Sequence, residues 1–446
     1  MDGASRTLEP KSHGTTFHLW PARILGPAPG LKELNLACWG LFVGFVVFPV
    51  FVPIVHDFKT GSVFIHLLPV DFTYFYGIGQ IVNEYSFDRL YDYSLQLKIF
   101  NGIYPLHDHT YGPSPYPPFV ALFFSPFARM PFMAAYLIWL ATSLVLYLAG
   151  IASVINLAYP RDRLRASLIF CCSLGFYPFF ICTLKLGQLS AVAIFSVGVA
   201  VYQEKNSRPF ASGLTLSILA YKPTLLLLLL PMLLITRRIR AFLGFVTGAM
   251  ILVLLATVFA GIDIWPTYAH FLTFFPLASV RRGQSLLQLW EYVDLSSLSY
   301  AIPGARSAIA LTVLTGMTIA ILAVLTVLSW KSASHRGPVQ YLVWAATLTW
   351  TLVLNLYVPV WDSILVIVAV VLTLGALRIL AWDRAAEWIT LLAISIFAVT
   401  WNLAAKWNRH GSQLMTILLF LLGSAQLFLL HRAIRQGSLH ATHELS

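Results

Sequence analysis

The chain has 446 residues, of which 58% are apolar and only 11% charged, with a mean hydropathy of +0.77. A soluble domain carries about 25% charged residues, so a water-facing globule is excluded and the composition is that of an integral membrane protein. Lys and Arg number 29 against 18 Asp and Glu, a formal charge of +11. In so apolar a chain that excess reads as loop charge that orients the protein in a membrane, with no nucleic-acid partner.

Residues 1–34 are polar, punctuated by Pro and Gly, and carry Arg6, Lys11, Arg23 and Lys32. They are expected to form a cytoplasmic tail ahead of an uncleaved signal anchor. Residues 35–446 are expected to form a single all-α transmembrane domain. A crossing needs about 20 apolar residues. About twelve crossings are expected, near 35–55, 131–156, 166–183, 188–203, 209–221, 223–236, 241–260, 304–330, 339–357, 362–378, 386–404 and 411–430. The division at Tyr221-Lys222-Pro223 rests on Pro223, which lacks an amide and clashes with the carbonyl of Leu219. The four cysteines, Cys38, Cys171, Cys172 and Cys182, lie in apolar runs and read as small core residues.

An even number of crossings puts both termini on one side. With the N-terminus inside, the basic residues at 161–165, 205–208, 237–240, 331–336, 378–384 and 432–435 join the tail on the cytoplasmic face. That face then holds more than half of the 29 cations, the bias expected of short cytoplasmic loops. No internal repeat of fixed period is visible, which counts against a two-fold repeated transporter.

Two outer loops are longer than connection requires, one over 56–130 and one over 261–303, and loops beyond about 15 residues are usually functional or disordered. The first is rich in tyrosine, which argues for order. Within it, 71–85 reads as an amphipathic helix opening at Asp71, a residue type that caps helices well, and 94–103 as a second helix. Segment 116–128 is apolar but too short to span, and is expected to be a re-entrant or interfacial piece.

Ionisable groups at a membrane boundary cost a few kcal/mol unless paired or solvated. Asp71 fits a helix cap and a general base alike. Lys185 and Lys222 fit lysines snorkelling to headgroups or cations for a ligand. Arg281 and Arg282 fit a lipid contact or the same ligand role, and Asp362 begins a span as a cap or a site carboxylate. Together they place carboxylates and cations on one outer face, which suits a phosphorylated lipid and a reaction needing a base. No Walker loop, HExxH, GxSxG or Cys/His cluster occurs, so neither a metal nor a cofactor is expected.

Several motifs recur in an order that resembles glycosyltransferase family 87. They are Asp71-Phe-Thr-Tyr-Phe-Tyr, Leu90-Tyr91-Asp92, Tyr116-Pro117-Pro118-Phe119 with Ser125-Pro126-Phe127, Leu186-Gly187-Gln188, Lys222-Pro223, Gln284-Ser285-Leu286 and Tyr357-Val-Pro-Val-Trp-Asp362. The resemblance spans roughly residues 35–400. It implies the GT-C fold and a sugar donor carried on polyprenyl phosphate, as in mycobacterial mannosyltransferases and an arabinofuranosyltransferase. The mannosyltransferase branch has a histidine beside the aspartate near 362, where this chain has Ser363.

The resemblance further implies that Asp71 is the base of a single inverting displacement and that Lys185, Lys222, Arg281 and Arg282 supply the cations for the donor phosphate. Tyr74, Tyr76, Tyr91 and Tyr116 would meet sugar faces, with Gln188, Gln284 and Asp362 completing the substrate site. The implied partners are a polyprenyl-phosphate sugar, mannose foremost, a glycolipid or glycan acceptor, and membrane lipids. The implied place is a bacterial inner membrane with the site on the periplasmic side. The alternatives are an arabinofuranosyl donor in the same fold, or a polytopic lipid or solute transporter, which would hold its ionisable groups near the midplane.

Overall fold

The computed structural model describes residues 30–48, 69–104, 111–274, 292–295, 297–298, 308–355, 357–402 and 413–443, with isolated positions between 52 and 59. The described residues are overwhelmingly helical, and the extended pairing among them is one isolated bridge between Tyr292 and Pro359. The all-α polytopic class expected from composition is what the chain adopts.

In chain order the first helix is α1, Leu31–Leu41, which continues as a π-helical stretch, Phe42–Val47. The first outer loop contributes α2 (Val70–Glu84), α3 (Tyr93–Ile103) and α4 (Pro118–Phe124). Then come α5 (Phe132–Ala158), α6 (Arg163–Leu174) with a π segment at Pro178–Lys185, α7 (Ser190–Lys205), α8 (Pro209–Leu216), α9 (Leu229–Ile235) and α10 (Ile239–Ala260). The second outer loop opens with α11 (Ile264–Phe274). It is followed by α12 (Ala308–Lys331), α13 (Pro338–Val353), α14 (Val366–Ile379), α15 (Asp383–Asn402) and α16 (Leu414–His443).

Six of these stretches are long and apolar enough to cross a membrane: Phe132–Ala158, Ile239–Ala260, Ile309–Ser334, Val360–Ile379, Asp383–Trp401 and Leu414–Gly437. Arg163–Leu174 and Pro178–Lys185, bent by 52° at their junction, make a seventh if taken as one span. The expected count of twelve is therefore not confirmed among the described residues. Helices do occupy the other expected crossings, but α7 and α13 have only 16 residues each. The two pieces Pro209–Tyr221 and Pro223–Ile235 are shorter still, because the chain passes through 3-10 turns on both sides of Lys222. The break expected there from Pro223 is present.

The core gathers around α13, whose residues from Tyr341 to Val353 are all buried. A helix apolar on every face belongs inside a bundle, and α13 packs between α14 and α16. Elsewhere small residues let backbones approach, the usual device where lipid removes the hydrophobic drive between helices. A Cβ on Gly150 of α5 would lie 2.6 Å from the carbonyl oxygen of Ile194 on α7.

The bundle has two chemically different ends. At one end Arg238 pairs with Glu204 at 2.8 Å, which also accepts from Trp344 Nε1 at 2.9 Å. Nearby on that end, Gln340 Nε2 donates to the carbonyls of Ser332 and His335 at 2.8 and 2.6 Å. Asp162 there takes Arg165 at 2.7 Å and Arg378 at 3.8 Å. The loops marked as one-sided by their charge thus meet one another. Helix α1 starts beside the start of α6, with Asn35 Nδ2 donating to the Leu164 carbonyl at 2.9 Å and Trp39 Nε1 to Ser167 Oγ at 3.0 Å. The two helices run parallel from that basic end. Cys171 and Cys182 are buried as expected, while Cys172 lies exposed on α6 rather than in the core expected for it.

Candidate active site

The opposite end is built on α2. This helix begins at Val70, with Pro69 in the cap position and no side-chain cap. Asp71 is its second residue, and the expected opening at a capping Asp is corrected by one position. The amides that a capping side chain would normally satisfy donate instead to the carbonyl of Leu186, Asp71 N at 3.1 Å and Phe72 N at 3.0 Å. The Asp71 carboxylate, only 9% exposed, is therefore not spent on closing its own helix.

That arrangement explains the Leu186-Gly187-Gln188 motif. Gly187 has φ +85°, a left-handed conformation that an L side chain adopts at a cost. A Cβ there would also stand 2.7 Å from the Cβ of Phe72. The Gly187 carbonyl accepts from Trp139 Nε1 at 2.9 Å, and Tyr136 OH donates to the Lys185 carbonyl at 2.7 Å. Gln188 is buried, and its amide donates to the Cys182 carbonyl at 3.3 Å. The segment is a rigid seat for the first turn of α2. Its lysine, Lys185, closes the π segment, half-buried and without an ion pair among the described residues.

A strap at 111–117 crosses α2 and presents Tyr116. It is tied by Gly112 N donating to Tyr74 OH at 3.1 Å, Ser114 N to Gln96 Oε1 at 2.9 Å, Tyr91 OH to the Tyr116 carbonyl at 2.9 Å and Tyr268 OH to the Pro115 carbonyl at 3.2 Å. Helix α3, which carries Gln96, is capped by Asp92, which accepts from Leu95 N at 3.1 Å. The Asp92 carboxyl is held down to about 2 by hydrogen bonds from Ser94 and Arg89. Burial pushes the Tyr74 phenol upward, and the Asp71 carboxylate adds to that. Tyr116 is raised by burial first, then by Asp362, with Tyr357 and Asp71 also contributing. Tyr116 is thus within electrostatic reach of both candidate site carboxylates and remains a protonated donor.

The third wall is Tyr357 to Asp362. Asp362, 2% exposed, pairs with Lys222 from the break between α8 and α9, while the Lys222 ammonium also lies 5.4 Å from the centre of the Tyr357 ring. Ser363 turns its hydroxyl to the Val360 carbonyl at 2.6 Å. The far end of the second outer loop docks here, with Tyr292 stacked edge-on to Tyr357 at 5.2 Å. Asp294 accepts from Val358 N at 3.0 Å and Ser297 N at 2.8 Å. Burial holds the Asp294 carboxyl above the usual carboxylate value.

Of the residues singled out in the sequence, Asp71, Tyr74, Tyr116, Lys185, Gln188, Lys222 and Asp362 come to this end. Tyr76 and Tyr91 are engaged in packing. Tyr76 OH donates to the Met130 carbonyl at 2.8 Å, and the Tyr91 ring lies against Tyr268 and Phe271 at 5.2 and 5.1 Å. Arg281, Arg282 and Gln284 lie outside the described residues. Sequence reasoning missed Trp139, Tyr136 and Asp294, and quoted Tyr357 only as part of a motif. Trp139 and Tyr136 sit mid-helix among other aromatics, where no local pattern marks a hydrogen-bonding role. Among the described residues no group of three or more His, Cys, Asp and Glu could hold a metal ion.

A polytopic helical bundle with carboxylates, lysines and tyrosines converging at one end defines a membrane protein with a polar reaction-type site. The model of glycosyltransferase family 87 matches residues 115–354, more than half of the chain. The chain belongs to glycosyltransferase family 87 and is a membrane glycosyltransferase, with a sugar donor and an acceptor as substrates. The matched segment contains Tyr116, Lys185, Gln188 and Lys222, and leaves Asp71 and Asp362 on either side of it. No curated protein and no solved structure matches the chain.

Proposed function

We propose that the chain transfers a sugar, mannose foremost, from a polyprenyl phosphate to a glycolipid or glycan acceptor. In this reading the site faces the periplasmic side of a bacterial inner membrane and both termini are cytoplasmic. The observation that carries it is that Asp71, on a helix seated by the Leu186 carbonyl, and the buried Lys222–Asp362 pair come to the same end of the bundle. The backbone of Asp71 is held by the Leu186 carbonyl, Lys222 pairs with the buried Asp362, and the Tyr116 phenol feels both carboxylates.

The chemistry follows from the donor. A polyprenyl phosphate is already a competent leaving group, so the protein needs neither a covalent nucleophile nor a cofactor. It must take a proton from the acceptor hydroxyl, align that oxygen with the anomeric carbon and balance charge on the departing phosphate. Asp71 takes the proton. The acceptor oxygen attacks from the face opposite the phosphate, so the anomeric configuration inverts. Lys185 and Lys222 act as point charges on the phosphate, with Arg281 and Arg282 as further cations and Gln188 and Gln284 as polar contacts to substrate.

The test is transfer of labelled sugar by purified protein from polyprenyl-phosphate mannose, polyprenyl-phosphate arabinose and the corresponding nucleotide sugars. Arabinose belongs in the panel because Ser363 replaces the histidine of the mannosyltransferase branch. Transfer or hydrolysis confined to the polyprenyl donors, with an inverted anomeric centre by NMR, is expected. Use of nucleotide sugars, retention of configuration, or movement of the donor across liposomes without transfer contradicts the reading.

A further inference from the structure

Lys222 and Asp362 stand 140 positions apart in sequence yet meet as an ion pair whose side chains are 12% and 2% exposed. Such a pair is a poor way to stabilise a fold, because desolvating two ions offsets most of their attraction. Its placement points to use. Lys222 sits between the 3-10 turns Ser217–Tyr221 and Pro223–Leu226, with backbone angles of −136° and 81°, at a break that a continuous helix would not need. The Tyr357 ring, 5.4 Å from the ammonium, offers a second, weaker partner.

Resting on the polyprenyl-phosphate reading above, we propose that Lys222 is stored on Asp362 and exchanges that carboxylate for the donor phosphate during transfer, after which Asp362 reclaims it and expels the product. The donor is a phosphodiester with one negative charge. As the acceptor oxygen bonds to the anomeric carbon, the bond from that carbon to the phosphate oxygen breaks. Its electron pair stays on phosphate, and the acceptor proton goes to Asp71. The product is a phosphate monoester, which carries about −1.5 to −2 at neutral pH.

The additional charge appears only as the bond breaks. A lysine held by a competing carboxylate in the ground state, and drawn to the phosphate as charge grows, stabilises the transition state more than the bound donor. The Tyr357 face keeps the ammonium partly compensated during the exchange. The same competition limits how tightly the more charged product is retained. Asp362 is in this scheme a positioning residue that acts through Lys222.

The test uses farnesyl phosphate binding to the purified full-length protein, in the native form, as Asp362→Asn, and as the double variant Lys222→Met with Asp362→Leu. Exchange predicts that Asp362→Asn binds farnesyl phosphate severalfold more tightly, because the competitor is gone. The double variant should melt near the native temperature, as apolar replacements of buried pairs often do, yet lose at least tenfold in affinity. A purely structural pair predicts the reverse: native affinity in the double variant, and weaker binding with a lower melting temperature in Asp362→Asn. Either result overturns the exchange, and if Asp362→Asn does not fold the double variant decides alone. Lys222-dependent binding without sugar transfer from any polyprenyl donor supports the exchange and overturns the enzymatic reading. Transfer together with binding indifferent to Lys222 does the opposite.

Discussion

Replacing Gly187 with alanine probes how Asp71 is held without touching either candidate substrate. At φ +85° an alanine meets left-handed strain of about 1–2 kcal/mol. Its Cβ would lie 2.7 Å from Phe72 Cβ and 3.3 Å from Phe72 Cα and N, an overpacking that typically costs about 1–3 kcal/mol. Together these amount to ~2–5 kcal/mol. The contacts seating α2 on this segment are the two hydrogen bonds from Asp71 N and Phe72 N to Leu186 O, which together contribute about 1–3 kcal/mol. At ~2–5 against about 1–3 kcal/mol the clash matches or exceeds what holds the seat, and the first turn of α2 moves away. A shift of about 1 Å at a catalytic group costs roughly 10² in rate. The expected outcome for Gly187→Ala is a folded protein with transfer reduced by about two orders of magnitude. Gly102→Ala, where a Cβ meets nothing within 4 Å, should be neutral or slightly stabilising. The measurement is sugar transfer beside thermal melting for both variants. Gly187→Ala with turnover within about twofold of native would refute the link between this seat and the Asp71 carboxylate.

Two further outcomes concern the scaffold. Arg238→Met should destabilise the protein by about 1.5–3 kcal/mol, the range for a hydrogen bond to a charged group, because Glu204, 21% exposed, keeps its bond from Trp344, while turnover per folded molecule stays native; a melting temperature unchanged from native contradicts this. Asp294 has a folded value above the ordinary carboxylate value, so the native chain keeps a proton that the unfolded chain releases between the two. Its contribution to stability falls as pH rises through that window. Asp294→Asn should flatten that part of the profile, read as melting temperature as pH rises above the ordinary carboxylate value of about 4, and an identical slope in the variant would show that Asp294 does not set it.

Much of the site was legible because local chemistry marks it. Pro223 imposes the break at Lys222 by removing an amide, and the Asp71 helix follows from its apolar periodicity. The segment 116–128 was recognised as too short to span, and its helix is indeed only Pro118–Phe124. What spacing does not encode is which distant groups meet. Lys222 and Asp362 each looked like a boundary charge, and only the fold shows them paired. The seat for α2 was hidden because it is made by a backbone carbonyl, that of Leu186, which any side chain at that position would provide. The number of membrane-length helices was harder to read for a related reason. The break at Pro223 is legible, but not the 3-10 turns on both sides of Lys222 that leave Pro209–Tyr221 and Pro223–Ile235 shorter than a membrane-length helix.

The central claim is that Asp71 takes the acceptor proton in a transfer from polyprenyl phosphate. The direct measurement is single-turnover transfer from the competent labelled polyprenyl-phosphate sugar by the native protein and by Asp71→Asn, with farnesyl phosphate affinity recorded for both. The account predicts a loss of about 10² to 10⁴ in rate, with phosphate affinity and melting temperature near native. Transfer at close to the native rate in Asp71→Asn would contradict it and move the base to another group at the same end of the bundle.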